Sequence, residues 1–256
     1  MTQVLIYEHP LSERIRNFLR TQHLFDQARY RIDHCYSSWD PKDCVATLVT
    51  LLQLIDRTDL KSELLKEFER QINTFQRLSK TPSIPQETLG QVLLDCEKAQ
   101  SGLRELNGII SHIKDHPIVQ SVQQRLSLHG GICAFDLPLF HYWLHQPISN
   151  LQPQLKLWLT SLQPLENALQ FLLHLIRTSQ HFKSEVATDG FFQQNLDPQF
   201  GCQLVRIQLP HSIGIYPEIS ASKHRVNVRF VAIDGDNKKG QSPTGNVGFE
   251  LACCAI

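Results

Sequence analysis

The feature that most constrains the fold is an abrupt change in sequence texture after Ser179. Before that residue, apolar side chains recur at helical spacing through segments that end near proline, glycine or asparagine. After it come seven of the chain's 12 glycines, with short β-branched and aromatic runs between them, which is typical of antiparallel strands. Those runs are Leu204–Leu209, Lys223–Ile233 and Val247–Leu251. Both textures in one chain predict an α+β fold, with an N-terminal and central α-helical bundle and a smaller antiparallel β domain.

A short strand pattern at residues 3–8 precedes the helical block and stops at Pro10. A strand needs a neighbouring strand for its backbone hydrogen bonds, and the other β-rich sequence lies near the C-terminus. We therefore expect the N-terminal strand to join the C-terminal sheet. Residues 1–9 with 180–256 would then form a discontinuous β domain, and residues 10–179 would form a helical domain of about eight helices.

The run Lys223–Ile233 has the alternation of a half-buried strand, since successive side chains point to opposite faces of a sheet. On one side lie Lys223, Arg225, Asn227 and Arg229, and on the other lie His224, Val226, Val228 and Phe230. No acidic residue occurs between Ser220 and Ile233. The spacing fits a surface that binds an acidic partner, and it fits equally well a solvated face whose charges discourage aggregation at a sheet edge.

Composition narrows the class of protein. Lys+Arg and Asp+Glu both number 25, so the formal net charge is zero and the whole-molecule basic character of many nucleic-acid-binding proteins is absent. The seven cysteines include no C-x-x-C pair, which indicates free thiols in a reducing compartment. Neither a secretory signal nor a membrane-spanning run of about 18 apolar residues is apparent. We expect a cytoplasmic protein that does not contact membranes.

Motifs for catalysis or cofactor binding are weak. His141 and His145 are spaced for one helix face, but the glutamate of a zinc-protease motif is missing and no third ligand is identifiable. Asp234–Gly240 departs from a calcium loop at its fifth and sixth positions, where lysines stand. It is predicted to be part of a polar loop, as is Ser79–Pro85. We predict a protein that is not an enzyme and has no cofactor.

Several stretches together resemble the ZapD family of bacterial cell-division proteins, and the resemblance runs along essentially the whole chain. They are Tyr7–Leu11 with Glu13 and Arg14, Glu63–Glu67, Arg125–Ser127, Gly130–Gly131, Phe135–Pro138 with His141 and Trp143, Tyr216–Ser220, and Phe249–Cys254. Ala221 stands where a glycine is expected in the family, and Ser12 stands where asparagine is more common. Neither difference involves a cationic position.

The resemblance implies a cytoplasmic homodimer that binds the C-terminal tail of the tubulin-like protein FtsZ. Such a dimer would bundle FtsZ protofilaments and stabilise the division ring at midcell. The basic pocket that binds the tail in the family corresponds to Arg225 and Arg229, with Arg57 from the helical domain. Lys223 and His224 are added on physical grounds, as neighbours on the same stretch. The competing hypothesis is a nucleic-acid-binding adaptor that uses the same strand against phosphates.

Overall fold

The computed structural model describes residues 3–79, 86–106, 108–197, 199–233 and 240–255. The chain divides into two compact units, one formed by Asn17–Leu172 and the other by Met1–Arg16 with Leu173–Ile256. Helices and antiparallel sheets are both present, which confirms the predicted α+β class. Residues 80–85 and 234–239 of the two predicted loops lie outside the described residues.

The described residues contain nine α-helices. They are α1 Glu13–Asp33, α2 Trp39–Arg57, α3 Leu60–Leu78, α4 Gln86–Glu105, α5 Ile109–Lys114, α6 Pro117–Arg125, α7 Pro138–Leu144, α8 Ile148–Ser161 and α9 Gln163–Thr178. Their amphipathic patterns explain their packing: in α2, Val45, Leu48, Leu52 and Ile55 are all buried, as helical periodicity requires of a core-facing stripe. Ser12 caps α1, because its Oγ accepts a hydrogen bond from the Ile15 amide at 3.3 Å.

Seven strands and a short 3₁₀ helix, His211–Ile213, complete the described structure. The strands are β1 Val4–Pro10, β2 Lys183–Ala187, β3 Phe191–Asn195, β4 Leu204–Pro210, β5 Ile215–Ala221, β6 Arg225–Ala232 and β7 Val247–Cys254. They form a first sheet in the order β1-β4-β7-β2 and a second sheet in the order β3-β6-β5. Every pairing among them is antiparallel.

The N-terminal strand joins the C-terminal sheet, as predicted. β1 pairs with β4 from Val4 opposite Pro210 to Pro10 opposite Leu204. The two sheets share one apolar core, to which β4, β6 and β7 each contribute alternate residues. Phe230 of β6 and Phe249 of β7 are buried there with ring centroids 4.9 Å apart. Burial of this core fixes which face of β6 points outward, since a one-residue slip would move every side chain to the other face.

A tight turn links the two sheets at Asp189–Gly190. The flanking residues Thr188 and Phe191 exchange backbone hydrogen bonds of 3.1 and 2.9 Å, and both central residues have positive φ, +49° for Asp189 and +73° for Gly190. This is the geometry for which Asp-Gly is favoured in two-residue hairpins. The turn leads into β3, which pairs with β6, the strand that carries Arg225 and Arg229.

Candidate partner-binding face of the second sheet

β6 carries the two strand arginines, and its burial follows the predicted alternation. Val226, Val228 and Phe230 point into the core, while Arg225 and Arg229 are exposed. The two arginines lie on the same face, four residues apart, which places their backbone positions about 13 Å apart at a rise of about 3.3 Å per residue. A rigid central strand therefore presents two guanidinium groups in one direction.

The flanking strands complete this surface. On β3, Asn195 lies opposite Arg225, Gln193 opposite Asn227 and Phe191 opposite Arg229, and directly opposite residues of an antiparallel pair share a face. We name the set formed by Phe191, Gln193, Asn195, Arg225, Asn227 and Arg229 the basic face. The set combines two cations, three amides and one aromatic side chain, and Glu218 of β5, opposite Arg229, adds one carboxylate to the same side.

Phe191 gives the basic face an apolar part that the sequence patterns did not reveal. Its residue surface is 52% exposed, although the next residue on the strand, Phe192, packs against the core. The signal that could have identified it is the Asp189–Gly190 dipeptide, because that turn implies a strand beginning at Phe191. An exposed phenylalanine beside an arginine can contact the apolar part of a peptide whose acidic group meets the guanidinium.

The arginines of the basic face are not neutralised by any carboxylate of the described residues. No ion pair involving Arg225 or Arg229 is found there; Arg229 instead donates from Nε to Ser242 Oγ at 3.4 Å. Glu218 of β5 lies opposite Arg229 in the register, so one acidic residue stands on this side of the strand without engaging that guanidinium. Within the described residues neither arginine is therefore held in an ion pair, although Glu218 lowers the net positive charge on this side.

Arg206 of β4 shows what a structural arginine looks like in the same fold. Its Nε donates to Glu8 Oε1 at 3.1 Å, and Glu8 also holds Arg177 through contacts of 2.8 and 2.7 Å. The guanidinium of Arg206 lies 5.1 Å from the centre of the Phe182 ring, and its side chain is only 14% exposed. Arg206 is therefore largely buried and held in an ion pair, whereas Arg225 and Arg229 are exposed to solvent.

Asn227, between the two arginines, has an unsatisfied acceptor. Its side-chain Oδ1 is buried and has no hydrogen-bond partner among the described residues. Buried polar atoms normally have partners, and because this oxygen is itself buried, it is not a contact point for a ligand that binds at the surface.

Lys223 and His224 lie outside β6. Both are exposed, in the turn that joins β5 to β6. The alternation that grouped His224 with Val226, Val228 and Phe230 does not extend to it, because the strand begins only at Arg225. The turn is held by a bond of 2.8 Å from the Ser222 amide to the Arg225 carbonyl. The His224 carbonyl accepts a hydrogen bond from the Leu196 amide at 2.8 Å, which ties the turn to the residue that follows β3.

Arg57 is the last residue of α2 and belongs to the other unit, Asn17–Leu172. It is exposed, whereas the neighbouring Asp56 is paired with Lys114 of α5's last turn. Within the described part of the chain, Arg57 has no ion-pair partner of its own. The contribution of Arg57 to the same binding site as Arg225 and Arg229 stays a prediction.

The histidine pair predicted as a weak metal candidate does lie on one side of a helix end. The rings of His141 and His145 are 4.4 Å apart in an edge-on arrangement, and His145 Nδ1 is 2.8 Å from the His141 carbonyl oxygen. The described residues contain no group of three or more His, Cys, Asp or Glu side chains arranged to hold a metal ion. In the described ranges no helix combines the length and apolarity needed to cross a bilayer.

Comparison with known proteins gives a consistent result. Residues 19–229 match the ZapD family, described as a cell division protein. The chain is 35% identical to the cell division protein ZapD of Methylococcus capsulatus, with 100% of both chains covered. It is 33% identical to that of an Enterobacter species, over 99% of this chain and 100% of the relative. For Photorhabdus laumondii the identity is 35%, over 99% and 98%.

These relatives are named as cell-division proteins and not as enzymes. Their similarity extends over both units of the chain, including the strands that build the basic face and the helix that ends at Arg57. The chain therefore belongs to the ZapD family of cell-division proteins.

Proposed function

We propose that this protein binds the C-terminal tail of FtsZ through the basic face and, as a homodimer, cross-links FtsZ protofilaments into bundles. It would act in the cytoplasm, at the division ring at midcell. The observation that carries the proposal is the pair Arg225 and Arg229, exposed on one face of β6 without a carboxylate partner in the described residues. Family membership supplies the cell-division context.

Arginine suits this task because its planar guanidinium can hold a carboxylate through two parallel hydrogen bonds. Arg225 and Arg229 would each receive an acidic group of the tail. Lys223 and His224 would make further contacts with the acidic tail, and Arg57 is proposed as an additional cation for the same tail. Acidic residues four positions apart on an extended peptide match the spacing of Arg225 and Arg229 on β6, since both chains rise by about 3.3 Å per residue.

Charge by itself cannot supply the affinity. Exposed ion pairs contribute about 0.2–1 kcal/mol each, whereas a micromolar complex needs about 8 kcal/mol. The remaining binding free energy has to come from apolar contacts. Phe191 offers one, because roughly half of its surface is open to solvent beside Arg229. The cations then orient the peptide. The aromatic ring contributes to the binding free energy through the apolar area that the peptide shields from water.

Bundling follows from having two such faces in a dimer. A filament presents many tails, so binding of the second tail becomes local and the overall strength can rise by about 10²–10⁴-fold without any new contact. A dimer with both faces occupied bridges two filaments. A monomer would decorate a filament and leave it unbundled.

Co-sedimentation with assembled FtsZ tests the proposal. The variants Arg225→Glu and Arg229→Glu should remain folded by circular dichroism and lose both binding and bundling, because a carboxylate on β6 repels the acidic tail. Lys183→Glu is the matched control, since Lys183 is an exposed cation on a strand of the first sheet, and it should bundle filaments normally. Undiminished bundling by either arginine variant, or of FtsZ that lacks its tail, would contradict the proposal.

A further inference from the structure

Two thiols of the β unit are in contact with each other. Cys202 precedes β4, and Cys253 is the penultimate residue of β7. The Cys202 thiol donates a hydrogen bond to the Cys253 sulfur, and its Sγ lies 3.8 Å from the carbonyl oxygen of Leu204. Both cysteines are partly exposed, and both are free thiols. The proposed tail site uses neither of them.

The register of the first sheet separates Cys253 from the cysteine that follows it. Cys253 lies opposite Val205 and packs against the core that the two sheets share. Neighbouring residues of a strand point to opposite faces. Cys254 is accordingly buried on the other face, where its Sγ lies 3.9 Å from the Arg177 carbonyl oxygen. Of the two adjacent cysteines, Cys253 is therefore the one that meets the Cys202 thiol.

Cys253 also lines a cavity of about 300 Å³ within the same unit. The other walls come from the start of β2, from the end of β3 and from the segment that follows β3. The polar lining residues include His181, Lys183, Glu185, Asn195 and Asp197. The cavity thus offers groups of both charges and an amide, which suits a small zwitterionic molecule. A molecule that enters it reaches the Cys253 side chain.

The two thiols differ in how readily they form a thiolate, the species that attacks a disulfide. The hydrogen bond from Cys202 lowers the pKa of Cys253, with help from Lys183 and against the opposing effects of burial and Glu185. The same hydrogen bond, together with burial, raises the pKa of Cys202. Cys253 is therefore the thiol that reacts first, and Cys202 is placed to react with the product.

We propose that Cys253 and Cys202 form a reversible intramolecular disulfide by exchange with a small disulfide that enters the cavity. The Cys253 thiolate attacks one sulfur of the small disulfide, whose sulfur–sulfur bond breaks, and one half leaves as a thiolate. That thiolate takes the proton of Cys202. The Cys202 thiolate then attacks the Cys253 sulfur and releases the second half as a thiolate. The protein loses two electrons, and the small disulfide is reduced to a thiol and a thiolate.

The cavity distinguishes this pair from cysteines that only fill space. A cysteine often behaves as a small apolar side chain in a core, and Cys254 fits that description. Cys253 instead combines a thiol partner with a polar cavity through which a reagent can arrive. The disulfide would join the segment between β3 and β4 to β7, beside Asn195, which belongs both to the cavity and to the basic face.

Peptide mapping of the full chain after treatment with oxidised glutathione tests the proposal. The remaining thiols are blocked with iodoacetamide, and the protein is digested with trypsin without reductant. We expect peptide 184–206, which carries Cys202, to be linked to peptide 240–256, which carries Cys253 and Cys254. The linked pair should lack both thiol hydrogens, carry its alkyl group on Cys254 and separate on addition of dithiothreitol. Absence of the linked pair, or a bond from Cys202 to Cys254, would overturn the proposal.

Substitutions separate the two steps. In Cys202→Ser the glutathione adduct on Cys253 should accumulate roughly tenfold or more above its level in the wild type, because the thiol held in position to displace it is gone. In Cys253→Ser the Cys202 thiol should stay unmodified over the same time. The matched control is Cys254→Ala, which removes the neighbouring buried thiol and should give the same linked peptides as the wild type.

The order of reaction is what these variants decide. A Cys202→Ser protein with no more adduct than the wild type would contradict the role of Cys202 as the second thiol. Rapid modification of Cys202 in the Cys253→Ser variant would contradict the role of Cys253 as the first. Neither result depends on whether the chain binds FtsZ, so the proposed function stands or falls separately.

Discussion

The Glu8 carboxylate forms ion pairs with two arginines from different elements. These ion pairs should contribute more to the free energy of unfolding than an exposed ion pair does. Its carboxylate contacts Arg177 of α9 at 2.8 and 2.7 Å and Arg206 of β4 at 3.1 Å. Arg206 also donates to the Arg177 carbonyl at 3.0 Å. The Glu8→Gln variant keeps the shape of the side chain but removes the carboxylate charge that both guanidinium groups share, in a place where little water reaches them.

The expected cost follows from the burial of the three side chains. Their exposures are 19% for Glu8, 24% for Arg177 and 14% for Arg206. Breaking a fully buried ion pair costs about 3–5 kcal/mol, and some residual water reduces that figure, so we expect a loss of about 2–3 kcal/mol in the stability of the β unit. That corresponds to a 30- to 150-fold rise, roughly, in the rate of amide exchange through global opening of the unit.

Hydrogen exchange of peptides from β1 and β4 is the appropriate assay. Trp39, Trp143 and Trp158 all belong to the unit Asn17–Leu172, so tryptophan fluorescence would follow the other unit. Glu13→Gln is the matched control, because the contact between Glu13 and Arg16 is largely exposed, at 68% and 40%. This control should cost below about 1 kcal/mol. Equal exchange rates in the two variants would refute the reasoning.

Three further outcomes are expected. Phe191→Ala should weaken binding of an FtsZ-tail peptide by about 10- to 50-fold in a calorimetric titration, because up to ~100 Å² of aromatic surface at about 25 cal/mol per Å² is lost; unchanged affinity would remove the apolar anchor from the account. Burial lowers the pKa of His116 below its ordinary value of 6.5, and its Nδ1 accepts from the helix α6 backbone, so folding favours the neutral ring. Stability should therefore fall as the pH drops from about 6.5 through the folded-state pKa, and His116→Asn, which keeps the capping acceptor, should flatten that slope in chemical unfolding at several pH values; an unaltered slope would contradict this. Burial raises the pKa of Cys44 to about 12, whereas the hydrogen bond with the Cys202 thiol lowers the pKa of Cys253. Mass spectrometry after brief iodoacetamide treatment should find Cys253 alkylated well before Cys44, and the reverse order would be inconsistent with these environments.

The strands that could be predicted from sequence were those with unambiguous apolar patterns. β4, β6 and β7 bury alternate residues between two sheets, so their periodicity is visible in the sequence. The pairing of β1 with β4 could be inferred because a strand needs a partner. β5 was missed as a strand since Pro217 interrupts its pattern, and β2 was missed because its residues are largely polar or exposed.

The candidate site was only partly predictable for related reasons. Arg225 and Arg229 follow from the alternation of β6, and their exposure is confirmed. Phe191 reaches the same face through a strand order in which β3 pairs with β6 and not with its neighbour in sequence; local periodicity carries no information about that pairing. His224 was grouped with Val226, Val228 and Phe230 because the alternation was extended past Arg225 into the turn.

The most direct test of the central claim is a charge exchange at the basic face. A fluorescent FtsZ-tail peptide is titrated with the wild-type protein and with the double variant Arg225→Glu/Arg229→Glu, and its anisotropy is measured at several salt concentrations. The account predicts that wild-type binding weakens as salt rises, that the double variant loses the acidic peptide, and that it gains a peptide whose acidic residues are replaced by lysine. Equal affinity of both proteins for the acidic peptide would contradict the claim that these two guanidinium groups receive the tail.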